Sequence, residues 1–420
     1  MLRAGEGVSH MEAEEIVGAL LTPEGQADPY VFYAAAQQLG PVRRFAGQPN
    51  LLCLGYAEVN AVLRDSAFGK LEFDSLPEQL RAQLNPDGAY ETAARSVLGT
   101  NPPDQRRVRS LINTAFTPRR VAGLEPAIVR MTDALLDDFA ALGAGGEPVD
   151  FMENLAFRLP VDVICELLGI PQEDRYRFRP LASDLIVVLE LLDDFKNLGP
   201  ADKAAAEMRG YLSDLAEQRR NEPQDDLVSA LVAVNDAQDG RLSDVELIVN
   251  LVVLFVAGFE TTTNLLGNGI RLGFEHPEIL ARVREGGIPT AAFVEEVLRY
   301  DAPVQLTSRH AVADGAMVGQ EPLAKGDRVF LLIGAANRDP RRFENPNVFD
   351  PTRPDNQSLS FGAGIHYCLG QGLARLEARI VFEKLLARFP GIAAAGPAER
   401  RSRLAQRGYQ TQPVTLGAAI

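Results

Sequence analysis

Only three cysteines occur in 420 residues, Cys53, Cys165 and Cys368, and an odd, widely spaced set builds no disulfide framework. A reducing compartment follows, and the cytoplasm is the expected location. No apolar run approaches the ~20 residues of a membrane span. The most apolar stretch, Leu247 to Phe259, is interrupted by Asn250 and closed by Glu260. Near the N-terminus Glu12, Glu14 and Glu15 stand where a signal peptide has its apolar core, so neither a leader nor a membrane anchor is expected. Repeats, low-complexity stretches and Ser/Gly-rich linkers are missing too. One large domain over residues 28–420 is therefore expected, after a flexible segment 1–27. Positive charge is short: 42 Lys and Arg face 57 Asp and Glu, a net charge of −15 that disfavours nucleic acid as a partner.

What is present reads mostly as helix. Apolar residues recur at three- and four-residue spacing over Glu125 to Leu142, Leu155 to Leu168, Met208 to Arg219 and Gly372 to Phe389. The longest helix is predicted from Ser243 to about Phe274, opened by a Ser243/Glu246 capping box and ended by His276-Pro277. Strand signals are few: Leu51 to Leu54, Arg328 to Ile333 and Ala311 to Val318. A mainly α fold with small β-sheets (α+β) is expected. The stretch from Asn337 to Pro354 is long for a loop without structure of its own, which points to a functional role.

Two places break local consistency. In Ala257-Gly258-Phe259-Glu260-Thr261-Thr262-Thr263 poor helix formers and an acid interrupt the apolar middle of the long helix. The second is Phe361-Gly362-Ala363-Gly364-Ile365-His366-Tyr367-Cys368-Leu369-Gly370, followed at once by an amphipathic helix. Gly362 and Gly364 let the backbone pass close to a flat group. A cysteine at a helix N-terminus is stabilised as a thiolate, the form that binds metal. A buried structural cysteine is the plainer reading, but it requires neither the glycines nor His366.

The decapeptide resembles the haem-binding signature of the cytochrome P-450 family, Phe-Gly-x-Gly-x-(His or Arg)-x-Cys-x-Gly, with every fixed position filled. The resemblance implies the family's single-domain fold, a helical bundle enclosing haem b (iron protoporphyrin IX), with Cys368 as the iron ligand and Phe361, Gly362, Gly364 and Gly370 shaping its loop. It implies that the long helix crosses the face of the haem where oxygen binds, where Ala257, Gly258, Glu260 and Thr261 match the Ala-Gly-x-(Asp/Glu)-Thr segment. Reducing dioxygen consumes protons that must cross an apolar pocket, and an alcohol beside an acid can carry them. Glu260 and Thr261 are the catalytic candidates; a threonine bonded back to its own helix is the structural alternative. Glu296 and Arg299 match the family's Glu-x-x-Arg, and Arg353, in Phe349-Asp350-Pro351-Thr352-Arg353, is nominated as the third member of a structural triad. Arg109, Arg309 and His366 are carried over as partners of the haem propionates. Gln105 stands where the family commonly has His, so one propionate contact becomes neutral or moves. Phe259 replaces another common His.

Basic residues concentrate locally despite the acidic total. Residues 102–130 carry six Arg against Asp104 and Glu125. Solvated helix faces would explain this, but the resemblance implies a docking face for an electron donor, with Arg106, Arg107 and Arg375 or Arg379 on or near it. Ferredoxin and ferredoxin reductase are the partners implied, with dioxygen as co-substrate and the protein as a monomer. Substrate-facing residues are expected at 71–98, 181–198, around Val253 and Val256, at Val304 to Thr307 and near Tyr409. Mostly aliphatic, they imply a hydrophobic small molecule. The implied activity is a monooxygenase that hydroxylates or epoxidises such a molecule in secondary metabolism, as in antibiotic biosynthesis by polyketide, terpene or peptide tailoring. Oxidative coupling without oxygen retention and a non-catalytic haem sensor are the alternatives. A peroxide-driven fatty-acid enzyme would lack the acid-alcohol pair.

Overall fold

Asp226 caps the helix Leu227–Asp236 by accepting from Ser229 N at 2.7 Å, and Thr117 caps Pro118–Gly123 by accepting from Arg120 N at 3.2 Å. Such local signals recur in the computed structural model, which describes residues 12–190, 198–237 and 242–417. Glu125–Leu142 forms as the spacing predicts, and the C-terminal helix is Gln371–Arg388. Met208 to Arg219 lies inside a longer helix, Gly199–Asn221. The long helix spans Asp244–Glu275, with Ser243 and Glu246 exchanging capping bonds. It is long and apolar enough to cross a membrane by composition, unlike the shorter stretch read from the sequence, but it is mostly buried, as a core helix is. Of the segment expected to be flexible, residues 1–11 lie outside the described residues. The remainder forms the helices Ala13–Leu21 and Pro23–Ala27, with Ala13, Ile16 and Leu20 buried.

The described chain clusters into two compact units. The first comprises the N-terminal part through Lys70, Asn268–Cys368 and Ala398–Gln410. Its five-stranded sheet runs Val42–Arg44, Asn50–Cys53, Arg328–Leu332, Leu306–Ala311, Phe68–Gly69; the second and third strands are parallel, and the other neighbours are antiparallel. Leu51, Val59, Leu63, Val329, Leu331 and Ala363 pack a buried core against it. The expected strand Ala311 to Val318 does not form: Leu306–Ala311 ends where it was to begin, and Ala316–Val318 makes a separate hairpin with Glu321–Leu323. Gly315, with φ +81°, makes the break, because an L side chain is strained in that region.

The second unit, Leu71–Gly267, Leu369–Pro397 and the chain from Thr411, is mainly helical, with a small sheet of Val149–Asp150, Pro413–Thr415 and Ala393–Ala394. Gly169 ends the helix Arg158–Leu168 at φ +78°, and a Cβ there would strike the Asp226 carboxylate. Arg219 clips the two segments together, donating to Asp226 Oδ2 at 2.6 Å and to the Gly169 carbonyl at 2.7 Å.

Candidate active site

The ten-residue loop lies almost wholly in the first unit. Gly362 and Gly364 have φ +68° and +67°, and a Cβ on Gly364 would collide with the Leu63 carbonyl. The loop thus lies against the C-terminal end of the helix Tyr56–Arg64, with Ala363 buried beside it. Cys368 N donates to the Phe361 carbonyl at 2.9 Å and Tyr367 N to the Gly364 carbonyl at 3.1 Å, which closes the turn. The following helix begins at Gln371 with Gly370 as its cap, so Cys368 precedes the helix by three residues rather than starting it. Cys368 is half-buried, whereas Cys53 and Cys165 are fully buried. Burial pushes both of those thiols up, Cys165 to about 12, which leaves them inert.

The loop's approach is fixed by charge. Glu296 and Arg299, both fully buried, form a two-pronged pair, Nη2 to Oε1 at 2.7 Å and Nε to Oε2 at 2.8 Å. Arg299 also donates to the carbonyls of Asn337, Pro346 and Val348. Arg353 reaches Glu296 Oε1 at 3.2 Å and holds the carbonyls of Glu344, Asn345 and Val348. The geometry therefore brings the nominated third residue to the pair. Asn356, which no sequence signal marked, donates to Glu296 Oε2 at 3.0 Å, and Asp350 N donates to Oε1 at 2.8 Å. From Asn337 the order passes on: its Oδ1 accepts from Leu359 N at 2.7 Å, two residues before the loop.

In the second unit, Thr261 donates its hydroxyl to the Ala257 carbonyl at 2.9 Å, Thr262 to Gly258 at 3.2 Å and Thr263 to Phe259 at 3.1 Å. The structural alternative for Thr261 is thus realised, and what its oxygen retains is acceptor capacity. Gly258 has a packing role as well, because a Cβ there would press Ile164 Cδ1 at 3.1 Å. Glu260 and Phe259 are fully buried. One turn beyond Glu260 lies Asn264, also fully buried, with neither side-chain polar atom hydrogen-bonded among the described residues. Buried amides are normally satisfied, so Asn264 is a natural seat for water beside the acid. The i+4 spacing from Glu260 is the only sequence signal that could have marked it.

A small apolar pocket in this unit is lined by Ala89, Thr92, Leu98, Leu185, Val253 and Ala257, among others. Val256 lines it as expected, but Phe73 packs instead with Leu76, Leu84, Ala94 and Leu198. Tyr409 lies in the other unit, its ring 4.2 Å from the Arg400 guanidinium carbon. Of the expected stretch 181–198, residues 191–197 lie outside the described residues. Val304 makes a bridge to Gln406.

The remaining candidates divide similarly. Gln105, fully buried, and half-buried Arg109 share a face of the helix Asp104–Ala115. Arg309 is buried on Leu306–Ala311, its Nη1 donating to Thr307 Oγ1 at 3.3 Å and the Ser308 carbonyl at 2.9 Å. Burial pulls its guanidinium down to about 10. His366 is half-buried in the short turn Gly364–His366.

A helix-rich α+β fold with a glycine-cradled cysteine defines the haem-thiolate class of protein. The cytochrome P450 family model matches residues 77–286 and 290–394, and the chain belongs to that family. It is 38% identical to 6-deoxyerythronolide B hydroxylase of Saccharopolyspora erythraea, covering 93% of this chain and 96% of that one. Polyketide biosynthesis cytochrome P450 PksS of Bacillus subtilis is 34% identical, over 93% and 96%. The crystal structure of P450BioI in complex with hexadec-9Z-enoic acid ligated acyl carrier protein superposes with a TM-score of 0.85 at 34% identity, covering 94% of this chain and all of that one. The protein is accordingly a haem monooxygenase whose cofactor is haem b, and it works with a redox partner, dioxygen and a hydrophobic substrate. Its residues fit that cofactor. A single half-buried cysteine on a turn whose Gly362 and Gly364 have positive φ suits a metal that arrives in its own macrocycle. Buried Arg309 suits a carboxylate.

Proposed function

We propose that the protein, as one haem-thiolate domain over residues 28–420, hydroxylates or epoxidises a hydrophobic small molecule in secondary metabolism, in the cytoplasm, with electrons from a ferredoxin and its reductase. The observation that carries the substrate class is the pocket lining, in which Thr92 is the one polar residue among those described. The names of the relatives, a 6-deoxyerythronolide B hydroxylase and a polyketide biosynthesis enzyme, favour a polyketide-like molecule. Titrating the ferric spin state against polyketide, terpene and peptide panels tests this; a response confined to polar metabolites would overturn it.

Haem, when bound, would supply the activation of dioxygen, which with two electrons and two protons leaves one oxygen atom in the substrate and the other in water. Cys368 is the iron ligand in this reading, with Phe361, Gly362, Gly364 and Gly370 shaping its setting, and Arg109, Arg309, Gln105 and His366 hold the propionates. Ala257 and Gly258 keep the long helix slim. Glu260 would relay protons within the buried site, Asn264 would orient water beside it, and Thr261 would accept a hydrogen bond from that water and steady the path by its tie to Ala257. Thr261→Ala therefore retains haem and reduction but diverts reducing equivalents to hydrogen peroxide, with product yield per electron pair down about tenfold or more. Full coupling in that variant, measured as product against reductant consumed, would make Thr261 a bystander.

Most of the arginines proposed for the donor face are engaged within the chain. Arg107 is tied to Glu246 at 2.5 Å and Asp104 at 2.8 Å, and Arg379 to Glu125 at 2.7 Å and Glu383 at 3.1 Å. Arg375 is engaged with Gln371. Arg106 is exposed, on the helix that also carries Arg109. Arg106→Glu slows reduction by ferredoxin about tenfold at low salt and leaves dithionite reduction unchanged. An unaltered ferredoxin rate would remove Arg106 from the docking face.

A further inference from the structure

Thr92 stands out twice in the second unit. Hydroxyls on the helices there commonly bond back to a carbonyl three or four residues earlier, as Ser110 does to Arg107 at 2.7 Å, Thr114 to Leu111 at 2.6 Å and Thr132 to Ile128 at 2.7 Å. Thr92, on the helix Ala89–Ala94, does not. Its Oγ1 is buried with no hydrogen bond, the one serine or threonine oxygen so left among the described residues. Buried hydroxyls are normally satisfied, so this one is open to a partner that enters from outside. Thr92 also lines the apolar pocket, where its described neighbours in the wall are all alanine, leucine or valine. Rotation about χ1 exchanges a threonine's hydroxyl and methyl between staggered wells, so the hydroxyl can meet a ligand in the pocket without backbone movement. The helix that carries it is held from both sides. Ala89 N donates to Asp202 Oδ1 at 2.9 Å, and beyond the helix Val97 N donates to Asn250 Oδ1 at 2.9 Å. Asn250, the polar break in the apolar run of the long helix, is itself fixed by donating to the Glu246 carbonyl at 2.7 Å. A group ordered beforehand loses little freedom on binding. Ala257 lies in the same wall and its carbonyl accepts from Thr261, so the pocket borders the acid-alcohol segment.

We propose that Thr92 is a specificity-determining residue whose hydroxyl hydrogen-bonds an oxygen of the substrate, so that the substrate is a hydrocarbon skeleton bearing a ketone or hydroxyl group rather than a bare hydrocarbon. This rests on the hydrophobic-substrate reading above. A threonine hydroxyl donates to a ketone and accepts from an alcohol, so one residue serves both. Apolar walls supply affinity but discriminate poorly, whereas a single placed polar group in such a site fixes which way the ligand lies. Oxygenated polyketide-like skeletons are thereby favoured over terpene hydrocarbons.

The ferric holoenzyme is titrated, with its spin state as readout, against matched cyclic ketones, alcohols and hydrocarbons, from cyclohexanone to cyclotetradecanone with the parent cycloalkanols and cycloalkanes. The wild-type protein, Thr92→Val and Thr92→Ser are compared, each first checked for its ~450 nm carbon-monoxide band. Valine keeps the branching and nearly the volume but removes the hydroxyl, and serine keeps the hydroxyl. Loss of one neutral hydrogen bond is expected to raise Kd for the ketones and alcohols about fivefold in Thr92→Val. The hydrocarbons bind that variant as well as the wild type or better, and Thr92→Ser stays within about twofold of the wild type for ketones and alcohols. Each probe is compared with itself across the variants, so differences in probe hydrophobicity cancel. Equal weakening of all three sets in Thr92→Val would make Thr92 a packing residue, and equal tightening would mean that its hydroxyl holds only water that any ligand displaces. Either result overturns the assignment. Unchanged binding of every probe by Thr92→Val would do the same and leave the hydrophobic-substrate reading standing. No spin-state response to any probe in the wild-type protein would overturn that reading, and the assignment with it.

Discussion

Cys368→Ser protein gives no ~450 nm band in its reduced, carbon-monoxide-bound form, and its monooxygenase turnover falls to background. A serine hydroxyl stays protonated where a thiol ionises, so the anionic ligand is lost while side-chain volume hardly changes. The glycine turn does not depend on the sulfur: its closing bonds, Cys368 N to Phe361 O and Tyr367 N to Gly364 O, are made by backbone. The variant should therefore fold, which circular dichroism and the melting profile of the protein check. Persistence of the band would require another thiolate. Cys53 and Cys165 are poor substitutes, being sealed in the interior with their ionisation suppressed. Such a result would overturn the assignment of the iron ligand itself.

The second large effect belongs to Arg299→Leu. Removing the guanidinium leaves the Glu296 carboxylate buried with only part of its compensation; the carbonyls of Asn337 and Pro346 lose this donor, and that of Val348 keeps only Arg353. Breaking a buried pair from one side costs about 3–5 kcal/mol, far more than an exposed pair is worth. The holoenzyme's denaturation midpoint should fall accordingly, with haem release at or before unfolding. Arg299→Lys is expected to fall between, since an ammonium keeps the charge but cannot span the carboxylate and three carbonyls as the planar fork does. Arg353 and Asn356 still reach Glu296, so a loss of less than about 1 kcal/mol in Arg299→Leu would show that these two suffice.

How much of this was legible in the sequence depends on how local each cause is. Periodicity and capping are local, and Glu125–Leu142 and the Ser243 cap follow from them directly. Ala311 to Val318 read as a strand because its residues suit one, but Gly315 turns the chain in the middle. Gly169 and Asp226 each belong to a recognisable stretch, yet nothing in either reveals that Arg219 joins them. The site shows the same division. Cys368, His366 and the glycines are contiguous and so were visible as a pattern. Asn356 acquires meaning only through its tertiary pairing with Glu296. Thr261 was visible, but its bond to Ala257 was one of two readings that spacing could not separate.

The way Arg299 and Arg353 hold the segment 337–348 bears on how freely that segment can change over evolution. Their fingers close on the carbonyl oxygens of Asn337, Glu344, Asn345, Pro346 and Val348, and every amino acid offers a carbonyl. Side chains there can drift while the path of the chain stays put. Asn337 and Asn345 are exceptions, the first because its Oδ1 accepts from Leu359 N and the second because its φ of +46° favours asparagine or glycine. The route to the cysteine is thus inherited through two arginines and a glutamate, and the surface above it is left open to variation.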